Sequence, residues 1–460
     1  MNKNNYLFII IMATGLFLFN CGGDDVETIP LFEGDIILNS QAAVDEVARN
    51  QHVEITGSLI IKEERLQNSD RITDLSGLST LTKISGDLIV DETFELQNLN
   101  GLENLEEIGG DVLIKANWAL RQIDALSGVS RYNMPIVEVT SNWELLSVSG
   151  LRGLELTKGL AVVANRSLLN LDGLQNLRGV AGEVILGGDG ELRNLNELSS
   201  LEYTHDLWVF GGSLQDLSGM SSLDSVAGTL RIEYFNQMND LSDLAGLSYI
   251  NSLYVANNES LTSLTGMTGL RSLEGEVRIE KCPMLTDLRG LEMITECQEV
   301  LINENDNLTS LSGLENLERV TLLNLYLNGK LKDLTALGKL EVIFDNLVIQ
   351  DNAQLSSLEG LEGLTSSDRM AIVRNGILSD LQAFENLQTL GSIFMANNPA
   401  ITDLDAFNGL DKMDSFSANG NINLTDFCGV KDVDFRVNYS ALNNGFNPTQ
   451  EDLNSGNCSQ

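Results

Sequence analysis

A short phrase recurs along most of this chain. It reads "LTSLTGM" at residues 261 to 267 and returns as "LTDLRGL" from 285, "LTSLSGL" from 308 and "LSSLEGL" from 355. Its second leucine-like residue serves as the repeat mark, the position that identifies each repeat. Sixteen such marks occur with a mean spacing of about 23.5 residues, at positions 75, 99, 123, 148, 171, 195, 217, 244, 264, 288, 311, 334, 358, 381, 404 and 427. A fixed period in this range predicts a solenoid, in which each turn of the chain stacks on the next.

Within one repeat, apolar side chains follow the pattern G-x-L-x-I-x-x-N-x-x-L-x-x-L-x-G-L-x-x-L-x-x-I. The L-x-I segment alternates apolar and variable residues, which is typical of a short strand that is buried on one face. No repeat can bury its leucines alone, so a core forms only when repeats stack and their strands pair in parallel. Sixteen coils about 4.8 Å apart would give a rod or arc roughly 75 to 80 Å long.

The strand, the asparagine and the paired leucines together resemble the leucine-rich repeats. Among these repeats, the sequence pattern of this chain is closest to the receptor L-domain type. They are also similar to the internalin-like repeats of bacterial surface proteins. The resemblance covers residues 57–427 and implies a mainly β fold, a right-handed parallel β-helix of about 16 coils. We expect an N-terminal cap at residues 36–56, with a short helix after Ser40, and an irregular C-terminal cap at residues 428–460.

A ladder of asparagines is predicted at the turn that follows each strand. A short amide at a tight turn can bond to backbone groups that a neighbouring strand leaves unpaired, so we interpret these residues as structural. Cys282 occupies the same position in its coil and is interpreted as a buried member of the ladder, while a disulfide between Cys282 and Cys297 stays open. Ten of fifteen aligned coils have asparagine at this position: Asn117, Asn142, Asn165, Asn258, Asn305, Asn328, Asn352, Asn375, Asn398 and Asn421.

The outward position at the centre of each strand is the natural place for ligand contacts. In consecutive coils it is occupied by Trp208, Arg231, Tyr254 and Arg278, which we expect to stack into one aromatic and basic patch. Aromatic and arginine side chains dominate binding hot spots, so the patch is a candidate site for sugar rings or a protein. The alternative is cross-strand pairs that stiffen the sheet. The whole row is Ile89, Leu113, Glu138, Ala161, Ile185, Trp208, Arg231, Tyr254, Arg278, Leu301, Asn324, Val348, Ala371, Phe394 and Ser417.

A second candidate stripe lies one residue after the ladder position. It contains Phe94, Trp118, Trp143 and Arg166. Two of the chain's three tryptophans therefore fall in adjacent coils, at a turn that we expect to be exposed. We interpret the stripe as a candidate binding surface, with packing over the edge of the turn as the alternative.

The N-terminus indicates export. The apolar run at residues 6–19 is too short to span a bilayer comfortably and suits the core of a signal peptide over residues 1–20. The following "NCGGDD" resembles the lipobox of bacterial lipoproteins, which implies acylation of Cys21 and a flexible linker over residues 21–35. Asn20 departs from the small residue usual there, and a secretory peptide or an uncleaved anchor is the alternative. The acidic pair is similar to the surface-export signal of Bacteroidota lipoproteins, which implies display on the outer face of the outer membrane.

Charge and motifs exclude several classes of function. The formal net charge of −38 makes nucleic acid a poor partner. His52 and His205 lie about six coils apart, and no G-x-S-x-G, H-E-x-x-H, phosphate-loop or paired C-x-x-C motif occurs. We therefore expect no enzyme activity, no cofactor and no metal site. The "NENDN" segment at residues 303–307 leaves Ca²⁺ open beside its interpretation as a solvated turn.

Cys428 and Cys458 flank the expected C-terminal cap. In a compartment that permits oxidation, we expect them to form a disulfide. Such a link would stabilise this end of the chain by roughly 3 kcal/mol.

These features together favour a monomeric, non-enzymatic surface lipoprotein whose solenoid binds an extracellular protein or glycan in adhesion, recognition or capture. A passive spacer of the cell envelope, without a specific ligand, is the alternative. A polysaccharide hydrolase on a β-helix is a third hypothesis, because an acidic chain holds many carboxylate pairs.

Overall fold

The computed structural model describes residues 30–64 and 70–460, so the predicted signal peptide and Cys21 lie outside the described residues. Strands dominate this part of the chain, and only two α-helices accompany them there, α1 (Gln41–Ala48) and α2 (Gln450–Asn454). In chain order the strands are β1 (Leu31–Phe32), β2 (Ile36–Leu38), β3 (Glu54–Ile55), β4 (Leu59–Lys62), β5 (Lys83–Ile84), β6 (Leu88–Asp91), β7 (Glu107–Ile108), β8 (Val112–Lys115), β9 (Arg131–Tyr132), β10 (Ile136–Thr140), β11 (Leu156–Thr157), β12 (Gly159–Val163), β13 (Gly179–Gly187), β14 (Tyr203–Phe210), β15 (Ser225–Glu233), β16 (Tyr249–Ala256), β17 (Glu276–Glu280), β18 (Glu296–Asn303), β19 (Arg319–Tyr326), β20 (Val342–Gln350), β21 (Ser366–Val373), β22 (Thr389–Ala396), β23 (Lys412–Asn419) and β24 (Asp434–Leu442).

The strands form a parallel solenoid, which confirms the predicted fold class. A long sheet runs through β2, β4, β6, β8, β10 and then β12 to β24, and each of its strands pairs with the strand of the next coil. A short sheet of β1, β3, β5, β7 and β9 lies beside its first coils. The described residues thus make 18 coils rather than about 16. The two additional coils contain β2 and β24, in segments that the sequence analysis assigned to the caps.

Alternation along each strand separates the core from the outer face. In β16, Leu253 and Val255 are buried inside the coil while Tyr254 between them points outward. The register matches this pattern in neighbouring coils, because Leu253 pairs with Val277 and Tyr254 pairs with Arg278. The inward residues form one hydrophobic core that extends from Ile36 to Cys458. The solenoid therefore has no separate domains within its core, and its outer strand face is one continuous surface.

All ten predicted ladder asparagines are fully buried and hydrogen-bonded from coil to coil. Asn328 shows the arrangement: its side-chain Nδ2 donates to the carbonyl oxygen of Ile302 at 2.6 Å, and its Oδ1 accepts the backbone N–H of Asn305 at 3.2 Å. Its own backbone N–H donates to Oδ1 of Asn352 at 3.0 Å. Each amide satisfies backbone groups that the turn leaves unpaired, so burial of these polar side chains stabilises the stack.

The ladder is irregular in the middle and extends further at its C-terminal end. Asn444 continues it, because Oδ1 of Asn444 accepts the N–H of Asn421 at 3.0 Å and Asn447 bonds to Asn444 in turn. Between Asn165 and Asn258 no coil supplies an amide side chain. The non-asparagine residues at the ladder position are Thr93, Asp189, Gly212, Phe235 and Cys282.

After the leucine-like residue at the repeat mark, the chain of each coil changes direction through one of two kinds of tight turn. At Gly266, φ is 117° and an added Cβ would lie 2.0 Å from the carbonyl oxygen of Leu241, so only glycine fits. In nine of the described coils a short 3₁₀ helix serves instead, and one of these follows Leu241 directly. The repeat mark placed at Leu244 is therefore wrong and belongs to Leu241, which makes the flanking spacings 24 and 23 residues. The 3₁₀ helices are Ser76–Leu78, Asp124–Gly128, Ser149–Leu151, Asn196–Leu198, Ser242–Leu244, Thr335–Leu337, Gln382–Phe384, Asp405–Phe407 and Cys428–Val430.

Both ends of the described solenoid carry a capped helix. The side chain of Ser40 accepts the N–H of Ala43 at the start of α1. At the other end, Thr449 forms a reciprocal capping box with Asp452 at the start of α2. A disulfide joins Cys428 to Cys458 and ties the segment that contains α2 to the last leucine turn. In the described ranges, neither helix is long and apolar enough to cross a membrane.

Candidate ligand-binding surfaces

The four residues of the predicted patch lie side by side on the strand face. Trp208, Arg231, Tyr254 and Arg278 are direct neighbours in the register of β14 to β17. The guanidinium carbon of Arg231 lies 4.9 Å from the centre of the Trp208 ring and 4.8 Å from that of Tyr254. The guanidinium carbon of Arg278 lies 5.6 Å from the Tyr254 ring centre. Rings and cations therefore alternate in one cation–π stack, which we call the strand-face patch.

Carboxylates beside this stack cancel its positive charge. Nε of Arg278 donates to Glu276 at 2.6 Å, and Arg231 lies 3.6 Å from a carboxylate oxygen of Glu233. Glu280 follows Arg278 on the same face of β17. The expectation of a basic patch is therefore corrected: residues two positions apart on a strand share a face, and here they bring three carboxylates to two guanidinium groups.

Burial changes the acid–base behaviour of the patch. Glu233 is only 4% exposed, and this burial raises the pKa of its carboxyl group above the ordinary value, although Arg231 and the Trp208 indole partly offset the effect. Burial also raises the pKa of Tyr254, and the nearby carboxylates of Glu233 and Glu280 add to the rise. The Glu233 carboxyl group thus keeps its proton to a higher pH than an exposed glutamate does.

The second predicted stripe is a continuous stack at the turn edge. Phe94 and Trp118 have ring centres 6.4 Å apart, and Trp118 and Trp143 have ring centres 4.8 Å apart. The Arg166 guanidinium carbon lies 6.0 Å from the Trp143 ring centre, and that of Arg71 lies 4.1 Å from the Phe94 ring centre. Trp118 and Trp143 remain 47% and 44% exposed. We call this array the turn-edge ridge.

In both the strand-face patch and the turn-edge ridge, aromatic ring faces pack against other side chains of the same array. Trp118 lies between Phe94 and Trp143, and Tyr254 lies between two guanidinium groups. A sugar ring stacks on an uncovered aromatic face, whereas Trp118 and Tyr254 have a ring or a guanidinium group on both sides. Exposed edges and aliphatic stems suit apolar contacts in a protein interface better than sugar stacking. The packing alternative and the binding interpretation are therefore compatible, because the rings are ordered by each other and still partly exposed.

Other residues singled out in the sequence have structural surroundings. Cys282 and Cys297 are buried free thiols, so the disulfide between them that the sequence allows is not formed. Burial raises the pKa of the Cys282 thiol to about 11 and that of Cys297 to about 12. In the "NENDN" segment, Asn305 is a buried rung and Asn307 donates to the carbonyl oxygen of Pro283 at 2.6 Å. No group of three or more His, Cys, Asp or Glu side chains suited to a metal ion occurs in the part of the chain that the structure describes.

A groove that the sequence analysis did not select runs along the turn edge beside the ladder. It has a volume of about 680 Å³ and spans six coils. The residues just before the ladder position form one wall, which includes Tyr234, Lys281 and Leu327. The residues just after it form the other, which includes Glu259 and Asp306. The sequence contains a signal for this groove. In these coils the large side chains lie one residue before the ladder position, whereas at the turn-edge ridge they lie one residue after it.

The comparisons with known proteins concern the repeat. The family model of the receptor L domain matches residues 53–141. Among solved structures, an internalin, InlF, from Listeria monocytogenes is similar, with 19% identity, 76% of this chain and 89% of that chain covered, and a TM-score of 0.40. The functional domain of InlJ from the same organism, which includes a cysteine ladder, is also similar. The two sequences are 16% identical, the match covers 76% of this chain and 72% of that chain, and the TM-score is 0.35.

No curated protein matches the sequence of this chain. The two internalin likenesses are too distant to carry an argument about ligands. The receptor L-domain match covers the second to fifth described coils, from β3 to β10, in which the short and the long sheet run side by side. Residues 53–141 are therefore similar to a receptor L domain, and the described chain as a whole is a leucine-rich-repeat-like parallel solenoid.

Proposed function

We propose that this chain is a non-enzymatic binding protein whose strand face contacts a partner protein. The observation that carries the proposal is the strand-face patch, in which four large side chains of consecutive coils order each other and stay partly exposed. The side chains of Arg231 and Arg278 are 42% and 36% exposed. Side chains that are ordered before binding lose little entropy on binding, and Arg, Trp and Tyr are the usual hot-spot residues.

A protein partner is favoured over a glycan because guanidinium groups lie over the Tyr254 ring from both neighbouring coils and over the Trp208 ring from one. Both guanidinium groups also have carboxylate partners, so the patch offers shape and apolar edges more than net charge. Recognition by such a surface depends on complementary packing over several coils. We therefore expect the partner to contact more of the strand face than the patch alone.

The test is a binding screen that compares matched variants. Purified protein is probed against a panel of extracellular proteins and a glycan array, and each binder is measured again with a Trp208→Ala and Tyr254→Ala double variant. Phe394→Ala is the control, because Phe394 belongs to the same outward row and is 45% exposed but lies six coils beyond the patch's Tyr254. We expect a protein binder whose affinity falls at least about tenfold in the double variant and is unchanged in the control. A binder that both variants retain would contradict the proposal.

A passive spacer is the second candidate. It is favoured by the same stack, because guanidinium groups that are cation–π and ion-paired within the sheet behave as cross-strand pairs that stiffen it. Absence of any specific binder in the screen, together with a lowered unfolding midpoint in the double variant, would support the spacer.

We also propose that Cys21 anchors the chain by acylation and that the solenoid faces the cell exterior. The support is the apolar run at residues 6–19 followed by Cys21 and two aspartates. Labelled palmitate should be incorporated into the wild type and not into Cys21→Ala. External protease on intact cells should digest the solenoid; protection until the outer membrane is permeabilised would contradict surface display.

A further inference from the structure

The groove at the turn edge lies on a different side of the coil from the strand-face patch. Its walls are the two rows that flank the ladder, whereas the ladder residues between these rows, such as Cys282 and Asn305, are fully buried and do not line it. Six coils at about 4.8 Å give it a length of roughly 24 Å along the solenoid. Its volume of about 680 Å³ lies within the range of small ligand sites, but its shape is that of a trench rather than a cavity.

Exchange of large and small side chains between two rows creates this trench. At the turn-edge ridge the row after the ladder contains Trp118 and Trp143, and the row before it contains Ala116 and Ser141, so the tryptophans cover the edge. Along the groove the row after the ladder narrows to Gly329 and Ala353, while the row before it carries Tyr234, Lys281 and Leu327. The same edge is therefore filled in one part of the chain and open in another.

The first wall places bulky side chains where the backbone favours glycine or asparagine. Tyr234, Lys281 and Leu327 have φ values of 61°, 52° and 58°. This left-handed conformation costs a residue with a Cβ roughly 1 kcal/mol. Tyr234 and Leu327 are nevertheless 53% and 37% exposed, so they do not recover that cost by burial in the core.

The charge of the groove selects a cation. Lys281 lies 3.8 Å from Glu304, and Asp351 is paired with Arg374 at 2.6 Å. Glu259 and Asp306 are both exposed on the second wall, and among the described residues they have no ion-pair partner. The net charge of −38 adds a long-range preference for a basic partner and opposes a second copy of this chain.

We propose that this groove binds an extended, lysine- or arginine-containing peptide segment of a partner protein, laid along the solenoid axis. Glu259 and Asp306 are two coils apart, which is roughly 9.6 Å. One turn of a polyproline II chain, which is three residues, rises about 9.3 Å, so basic side chains at positions i and i+3 lie on the same side and face both carboxylates. Pro283 contacts the residues between the two basic side chains, and Tyr234 and Leu327, one coil further out at either end, contact the residues that flank them. This site is separate from the strand-face patch and does not depend on its function.

The test measures binding of a fluorescent, extended seven-residue peptide with two lysines three residues apart. We expect binding to the full chain at low ionic strength, weakening with added salt, and none for the same peptide with glutamate at both lysine positions. Glu259→Gln with Asp306→Asn should weaken binding about tenfold. Glu385→Gln with Asp411→Asn is the matched control, because it removes two exposed carboxylates outside the groove and gives the same net charge.

A second pair of variants tests the shape of the groove without changing the charge of the protein. Gly329 lies in the groove and Gly376 lies in the same row beyond it, and an added Cβ meets nothing within 4 Å at either residue. Gly329→Trp should abolish binding of the lysine peptide, and Gly376→Trp should leave it unchanged. Equal affinities for the two tryptophan variants, equal affinities for the two charge variants, or no binding to the wild type would each overturn the proposal. Trp208→Ala does not enter this test, so the groove and the strand-face patch succeed or fail independently.

Discussion

Replacing Asp189 by asparagine should stabilise the protein at neutral and alkaline pH. Asp189 occupies the ladder position of its coil and is 2% exposed. Its Oδ1 accepts the backbone N–H of Asn165 at 2.5 Å, but its Oδ2 is buried without a hydrogen-bond partner. In other rungs the second side-chain atom is an amide nitrogen that donates to a carbonyl oxygen of an earlier strand, as Asn165 does to Val139 at 2.8 Å. An ionised carboxylate has no hydrogen for that bond, whereas a protonated carboxyl group does.

The magnitude follows from the pKa of the buried group. Burial, which is only partly offset by the bonds to Asn165, raises the pKa of Asp189 from 3.8 to about 7. The folded state therefore holds a proton that the unfolded state has already lost, so this contribution to stability is complete below pH 3.8 and falls as the pH rises towards 7. The total loss is at most roughly 4 kcal/mol above pH 7. Asparagine does not titrate and supplies the missing donor at every pH.

Urea denaturation from pH 4 to pH 8, followed by tryptophan fluorescence and circular dichroism, measures this difference. The chain holds many other carboxyl groups, so the informative quantity is the difference in unfolding free energy between Asp189→Asn and the wild type at each pH. We expect it to be small at pH 4 and to grow by several kcal/mol up to pH 8. Asn352→Asp is the reciprocal control and should be more destabilising at pH 8 than at pH 4. A difference that is constant over the range, or an Asp189→Asn protein that is less stable at pH 8, would refute the reasoning.

Three further outcomes follow from the described contacts. Asn328→Ala should lower the unfolding free energy by about 2 to 4 kcal/mol in urea denaturation, because two backbone bonds lose their partner in the core; a loss below about 0.5 kcal/mol would contradict the ladder's role. Cys428→Ser with Cys458→Ser should destabilise the C-terminal end by about 3 kcal/mol, seen as faster hydrogen exchange over residues 434–460 only. Cys282 and Cys297 should resist maleimide in the folded protein up to about pH 9 and react once it is unfolded, since burial raises both thiol pKa values.

The repeat pattern predicted the register because each coil offers one alternation of inward and outward side chains. Once Val255 is recognised as inward, Tyr254 must be outward, and pairing one coil on brings it to Arg278. The assignment of the repeat position to Leu244 is wrong because leucine recurs at Leu241, Leu244 and Leu247, and the sequence pattern alone fits each of them. The spacings of 24 and 23 residues and the hydrogen-bonded turn at Ser242–Leu244 both favour Leu241.

The candidate sites were less predictable than the register, because they depend on the charge and size of side chains at two or more positions of the repeat considered together. The outward row taken alone predicts a basic patch, whereas Glu233 and Glu276 lie on the same face as their arginines, two residues away along each strand, and offset the positive charge. The groove arises from the relative size of the residues on either side of a buried rung, as at Leu327 and Gly329. A single aligned row does not contain that information. How a ring face is covered, as for Trp118, is a matter of side-chain angles that the sequence does not specify.

The interrupted ladder also has a mechanical consequence. A solenoid pulled from its two ends carries force through its coils in series, since each coil touches only its neighbours. At the ladder position, side-chain hydrogen bonds run from Thr93 to Asp189 and again from Phe235 to Asn444, with Cys282 as the one residue other than asparagine between Asn258 and Asn444. Gly212 has no side chain to continue either run. Under tension the chain should yield there first and extend as two blocks of unequal length, each of which unzips from its own broken end.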